Sequence, residues 1–271
     1  MIANARMYAV TPAVAAHWRT LFAWVGAHAG VALETIEHSA PHPLHELWTR
    51  ADLGCAFMCG YPWAAWSEAS PRPVPLASIV PSPARYGHRS AYCTDIVVQA
   101  DSDVRALDDL RGRRFAFTTP ASQSGYQAPR ALFAEAAIAN GGALFEQGVG
   151  PLVTPRAVVD AVVSGAADAG PLDSYWHDLL RRHEPATAAR LRVVASTPFT
   201  PMPPLVGTAG FDPTARAGIA AALVAGGATS ELREVRDALL IPQIVAPDPA
   251  QYAILLANAR RTDALGYRRL Q

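Results

Sequence analysis

Two hydrophobic periods alternate along this chain. Trp18, Leu21, Phe22 and Val25 fall on one helical stripe and predict a helix over 13–26, with Thr11-Pro12 as its start. A short strand is expected over 6–10 and a second over 31–36. A short helix is expected over 44–51. The unbroken apolar run 53–59 reads as a buried strand that ends at Gly60-Tyr61-Pro62, and 74–80 reads as another strand. The rhythm then repeats. A β-rich run covers 91–99, a polar turn-like stretch 101–109, and a strand 114–118. Helices follow over 127–140 and 156–164. A short buried strand over 166–171 leads into a loop with Asp173, then a helix over 175–182 and a strand over 191–196. The remainder is Ala- and Leu-rich and predicts helices over 215–225, 230–239 and 249–264.

Strands alternating with helices predict an α/β fold with mostly parallel sheets. Pro-rich crossings occur twice, at Pro81 and Pro83 and again at Pro198, Pro201, Pro203 and Pro204. A chain that leaves one lobe, builds a second and returns would show this pattern. The expected organisation is 1–87 plus 200–271 as a discontinuous first lobe and 88–199 as a second. Hinge crossings are expected near 85–95 and 194–204, with a ligand cleft between the lobes.

Composition narrows the chemistry. Basic and acidic residues balance at 23 each, and all 23 basic residues are arginine. The absence of lysine removes PLP enzymes and lysine-dependent aldolases, which need a Schiff base. It also removes P-loop NTPases and protein kinases, which need a phosphate-binding lysine. Zero net charge argues against nucleic acid as a partner. No run reaches the ~18 apolar residues of a membrane span. The start, Met1-Ile2-Ala3-Asn4-Ala5-Arg6, lacks the layout of a signal peptide. Location is therefore cytoplasmic, or periplasmic if a signal peptide lies outside this sequence. Cys55 and Cys59, spaced ~13 Å apart on one strand, are beyond disulfide reach and are expected, with Cys93, as buried free thiols.

The strongest local signal is Thr118-Thr119-Pro120-Ala121-Ser122-Gln123-Ser124-Gly125-Tyr126, where a strand ends in a Ser/Gly-rich turn that opens a helix. The first N–H groups of a helix have no internal acceptors and lie at its positive dipole end. Ser122 and Ser124 add hydroxyls, and Gly125 lets a ligand approach the backbone. This composition suits a phosphate, phosphonate or carboxylate; ordinary N-capping by Ser122 also explains it. His38, His42 and His45 have a spacing that could hold a metal, but Pro41 and Pro43 break any shared helical face, and no metal or cofactor is expected. Trp63 and Trp66 beside Tyr61 suit either an aromatic wall or core packing. Arg89 suits either an anion contact or a surface position.

The blocks Tyr92-Cys93-Thr94-Asp95-Ile96-Val97-Val98, Leu107-Asp108-Asp109-Leu110-Arg111-Gly112-Arg113-Arg114-Phe115-Ala116-Phe117 and Ser122-Gln123-Ser124-Gly125-Tyr126 resemble the phosphate/phosphite/phosphonate-binding proteins of ABC transporters. These belong to the type II periplasmic binding protein superfamily. The segments 53–61 and Gly165-Ala166-Ala167-Asp168-Ala169-Gly170 with Asp173 agree. The resemblance implies a two-lobed fold closing on a small oxyanion, an ABC permease as partner, a monomer, and no catalysis. It implies Ser122, Gln123, Ser124, Gly125 and Tyr126 as the oxyanion clamp, with Tyr61, Tyr92, Asp173 and Thr11 as further ligand-binding positions. Relatives often carry Tyr-x-Ser where this chain has Tyr92-Cys93-Thr94. They often carry a His where this chain reads Val153-Thr154-Pro155-Arg156. Two other functions suit the same fold: a lyase or dehydratase, with Asp173 and His177 as its acid/base candidates, and a ligand-sensing domain.

Overall fold

The structure, a computed structural model, describes residues 1–271. The chain forms two compact units, Met1–Ala91 with Pro201–Tyr252, and Tyr92–Thr200 with Ala253–Gln271.

The first unit is built on a six-stranded sheet in the order Gln243–Val245, Val74–Val80, Leu205–Gly207, Leu53–Phe57, Ile2–Asn4, Glu34–Thr35. Ile2–Asn4 pairs in parallel with both of its neighbours. Leu205–Gly207 inserts antiparallel between Leu53–Phe57 and Val74–Val80, and Gln243–Val245 runs antiparallel along Val74–Val80. The first strand is Ile2–Asn4, and the expected strand over 6–10 is a short 3₁₀ turn, Arg6–Tyr8. Asn4 makes the difference: its Oδ1 accepts from the Arg6 N–H at 2.8 Å and its Nδ2 donates to Ile36 O at 2.9 Å, so the chain bends directly after the strand.

The helix Pro12–Ala29 starts where Thr11 Oγ1 accepts from the Val14 N–H and stops at Gly30, whose φ of 66° favours a residue without Cβ. Its stripe of Trp18, Leu21, Phe22 and Val25 is buried, and Trp18 meets Phe57 edge-on at 5.0 Å. Each of these side chains contributes about 1.5–3 kcal/mol by leaving water.

The second unit carries a five-stranded sheet in the order Leu191–Ser196, Thr94–Gln99, Ala169–Asp173, Arg114–Ala116, Gln147–Val149. Arg114–Ala116 pairs in parallel with both neighbours, while Thr94–Gln99 is antiparallel to both of its own. Both sheets are therefore mixed, where alternation alone suggested mostly parallel ones. Alternation reports helical crossovers, which give parallel neighbours. It is blind to a returning strand such as Leu191–Ser196, which lies beside the strand that entered the unit and runs against it. The core gathers Ile96, Phe115, Phe133, Phe145 and Ala169, with Phe115 stacked on Phe145 at 4.5 Å.

Residues 253–271 belong to this second unit, where the Pro-rich crossings of the sequence suggest the first. Arg130 is the reason. Its buried guanidinium bonds Asp263 Oδ1 at 2.6 Å, Tyr267 O at 2.8 Å and Ala259 O at 3.3 Å, all from the C-terminal segment. Tyr267 and Leu270 join the core, and the Leu270 N–H donates to the Tyr126 hydroxyl at 3.1 Å. All three cysteines are free and buried, and burial pushes the Cys55 thiol far above its usual range.

Candidate anion-binding turn

The strand Arg114–Ala116 runs through Phe117 and Thr118 into a turn that becomes the helix Ala128–Ala139. The first helical residues, Gln123–Gln127, form a wide π turn, with the Gln127 N–H reaching back to Ser122 O at 3.0 Å. Ser122 is the cap: its Oγ accepts from the Gly125 N–H at 3.0 Å. The Ser124 N–H precedes that first intrahelical bond, in the part of a helix whose amides cannot reach an intrahelical carbonyl. The cap and a helix-start amide therefore occur in the same turn. A hydroxyl that accepts from an amide still has its own proton to donate.

Two carbonyls of the turn are held from below. Thr94 Oγ1 donates to Ser124 O at 3.1 Å, and the Thr118 N–H donates to Gly125 O at 3.2 Å. Gly125 lies so close to Thr118 that a Cβ there would sit 1.9 Å from Thr118 Oγ1. Glycine is thus required by close approach to the strand below.

The other positions picked from the sequence serve varied roles. Tyr126 follows Gly125 but is buried, with its ring against Phe117 and its hydroxyl at Leu270, so it anchors the turn to the C-terminal segment. The Gln123 side chain is buried, while Ser122 and Ser124 are half-exposed. Asp173 ends its strand opposite Thr94, and its Oδ1 caps the helix Ser174–His183 by accepting from the Tyr175 and Trp176 N–H groups at 2.9 and 3.0 Å. Tyr92 is buried in the second unit. Thr11 caps its helix in the first unit, and Tyr61 lies half-buried in the short helix Gly60–Ala64 of that unit.

Of the weaker candidates, Trp63 is buried, donates to Pro73 O and lies under Arg72. Exposed Arg89 donates to Tyr86 O. His45 pairs with Glu68 at 3.0 Å and His38 contacts Pro43 O. No group of three or more His, Cys, Asp or Glu is arranged to hold a metal ion.

Sequence reasoning missed the partners of His177. Its Nδ1 lies 2.9 Å from Asp95 Oδ2, Ser196 Oγ donates to Asp95 Oδ1 at 2.8 Å, and both His177 and Asp95 are about fully buried, at 1% and 0% exposure. The one available signal was an acidic residue heading the apolar run Ile96-Val97-Val98. Burial holds the His177 imidazole below its ordinary value, against the opposing pull of Asp95. The unfolded chain thus binds this proton more tightly, and stability rises with pH across the window. The contribution is fully present above about 6.5 and is lost as pH falls through the lower folded value. Melting temperature should accordingly fall between pH 7.5 and 5.5, and His177→Asn should flatten that fall. An equal fall in both proteins would remove His177 from the explanation.

Residues 9–252 match the model of a family described as "ABC transporter, phosphonate, periplasmic substrate-binding protein". No curated protein matches the sequence. Among solved structures, the binding-protein component of an ABC phosphonate transporter from Pseudomonas aeruginosa superposes with a TM-score of 0.81 at 17% identity, covering 98% of this chain and 87% of that one. PhnD1 from Prochlorococcus marinus, in complex with methylphosphonate, gives 0.77 at 15% identity, covering 97% and 98%. A Xanthomonas citri protein bound to chloride gives 0.68 at 17% identity, again covering 97% and 98%. No helix is long and apolar enough to cross a membrane.

Proposed function

The chain belongs to the phosphonate-type periplasmic substrate-binding proteins of ABC transporters, and on that premise we propose that it takes up a phosphonate or closely related oxyanion on its 122–125 turn. The observation that carries this reading is the cap geometry. Ser122 Oγ accepts from the Gly125 N–H and keeps its own proton to donate, and the Ser124 amide lies ahead of the first intrahelical bond, from the Gln127 N–H to Ser122 O. An oxyanion placed there meets N–H and O–H donors at the positive end of a helix of 12 residues with its preceding π turn. With no lysine in the chain, a cationic donor to the ligand could come only from arginine, and the turn itself supplies neutral donors and the helix dipole. Methylphosphonate, held by one of the superposing proteins, is the natural first probe.

The protein in this reading delivers its ligand to an ABC permease outside the cytoplasmic membrane, as a monomer, and performs no chemistry on it. The two acid/base candidates support this. The Oδ1 of Asp173 caps a helix, and His177 is buried against Asp95. A dehydratase would need such groups open to a substrate.

Calorimetry against methylphosphonate, 2-aminoethylphosphonate, phosphite and phosphate tests the reading. Saturable binding of at least one is expected. Ser122→Ala should weaken that binding about tenfold or more, the cost of one hydrogen bond to a charged ligand. Failure of all four anions to bind would overturn the proposal.

A further inference from the structure

We infer that Thr94 is a positioning residue for anion binding: by holding the Ser124 carbonyl it keeps the oxygens of the 122–125 turn turned away from the ligand. This rests on the anion-binding reading above.

The argument starts from the peptide unit. In a trans peptide the C=O and the following N–H point in opposite directions, so fixing one fixes the other. In the Ser124-Gly125 peptide, the carbonyl accepts from Thr94 Oγ1 at 3.1 Å and the N–H donates to Ser122 Oγ at 3.0 Å. In the next peptide, Gly125 O accepts from the Thr118 N–H at 3.2 Å. Two successive carbonyls are thus drawn down toward the sheet. A carbonyl oxygen turned the other way would face an anion with partial negative charge and would withdraw the Gly125 N–H that fixes Ser122 Oγ at the same time. Glycine at 125 makes such a rotation sterically cheap for the backbone, so the turn needs an external hold.

Thr94 is suited to that hold. It is buried at 1% exposure and heads the strand Thr94–Gln99. Its backbone is locked by a reciprocal pair with Thr197: the Thr94 N–H donates to Thr197 Oγ1 at 2.9 Å, and the Thr197 N–H donates to Thr94 O at 2.9 Å. The hydroxyl is therefore presented from a fixed frame.

A second observation at the turn points independently to a ligand. Thr118 is buried at 4% exposure, its Oγ1 lies against Gly125, and that oxygen has no hydrogen-bond partner in the chain. A buried hydroxyl left unsatisfied is costly, and a small shift of the turn on ligand uptake would let it reach an acceptor.

The test compares wild type, Thr94→Val and Thr94→Ser by calorimetry with methylphosphonate and with inorganic phosphate, and by amide hydrogen exchange at Gly125. Valine keeps the shape and removes the donor. Thr94→Val should bind the preferred anion about tenfold more weakly than wild type, and its Gly125 amide should lose protection. Thr94→Ser, which restores the hydroxyl, should recover both, a rescue that a packing role for the methyl group would not give. If Thr94→Val does not fold, Thr94→Ala against Thr94→Ser gives the same comparison. Binding by Thr94→Val within twofold of a wild type that does bind would overturn the proposal. A wild type that takes up neither anion overturns the anion-binding reading instead. The Gly125 amide then decides this proposal, and unchanged protection in Thr94→Val overturns it too.

Discussion

Gly125→Ala is expected to cost about 1–3 kcal/mol of stability and to weaken anion binding about a hundredfold. The added Cβ would lie 1.9 Å from Thr118 Oγ1 and 2.9 Å from both Thr118 Cβ and Cγ2. No rotation of one small side chain relieves all three contacts, so the turn must lift from the strand that carries Thr118. Overpacking of this kind costs the stability stated. Lifting also breaks the bond from the Thr118 N–H to Gly125 O and misplaces the donors around Ser122. Losing two hydrogen bonds to a charged ligand accounts for the hundredfold. The double variant Thr118→Ala with Gly125→Ala removes the hydroxyl and the Cγ2 but leaves one contact at 2.9 Å. It should recover part of the stability lost by Gly125→Ala alone. Denaturant midpoints and calorimetry on the two proteins check this, and equal losses in both would exclude the clash as the cause.

Arg130→Met should destabilise the protein by about 3 kcal/mol and loosen the C-terminal segment. The guanidinium is buried and donates to four acceptors: Tyr267 O, Ala259 O, Gln127 Oε1 and Asp263 Oδ1. Methionine fills the volume, so the cost is chiefly that of buried carbonyls losing a charged donor. The Asp263 carboxylate is half-exposed and can return to water, which keeps its share small. Gln127 extends the chain of contacts to the turn, since its Nε2 donates to Pro120 O at 2.7 Å. Limited proteolysis should then cut within 253–271 at protease concentrations that leave the wild type intact. An unchanged denaturant midpoint would show that the arginine contributes nothing net.

Periodicity and punctuation in the sequence were sufficient for most elements. The stripe from Trp18 to Val25, the Thr11 cap and the apolar runs at 53–57 and 94–99 each state a local preference that packing then uses. The Ser/Gly-rich turn was legible for the same reason: a cap is a local structure, and its donors lie within four residues of one another. What escaped was non-local. The strands Leu205–Gly207 and Gln243–Val245 are three residues each and lie among prolines and helices, too short for any pattern to reveal. Ile2–Asn4 was displaced by five residues of stronger β preference that a single asparagine bends out of the sheet.

The family of this chain, the Ser/Gly-rich composition of its turn and the exclusion of lysine chemistry follow from the order of its residues, because each depends on contiguous sequence. The pairing of His177 with Asp95, the docking of 253–271 on Arg130, and the grip of Thr94 and Thr118 on the turn span 82, 133 and 30 residues or fewer. Contacts at such separations are set by which faces the sheets bury together. Only the folded chain decides them.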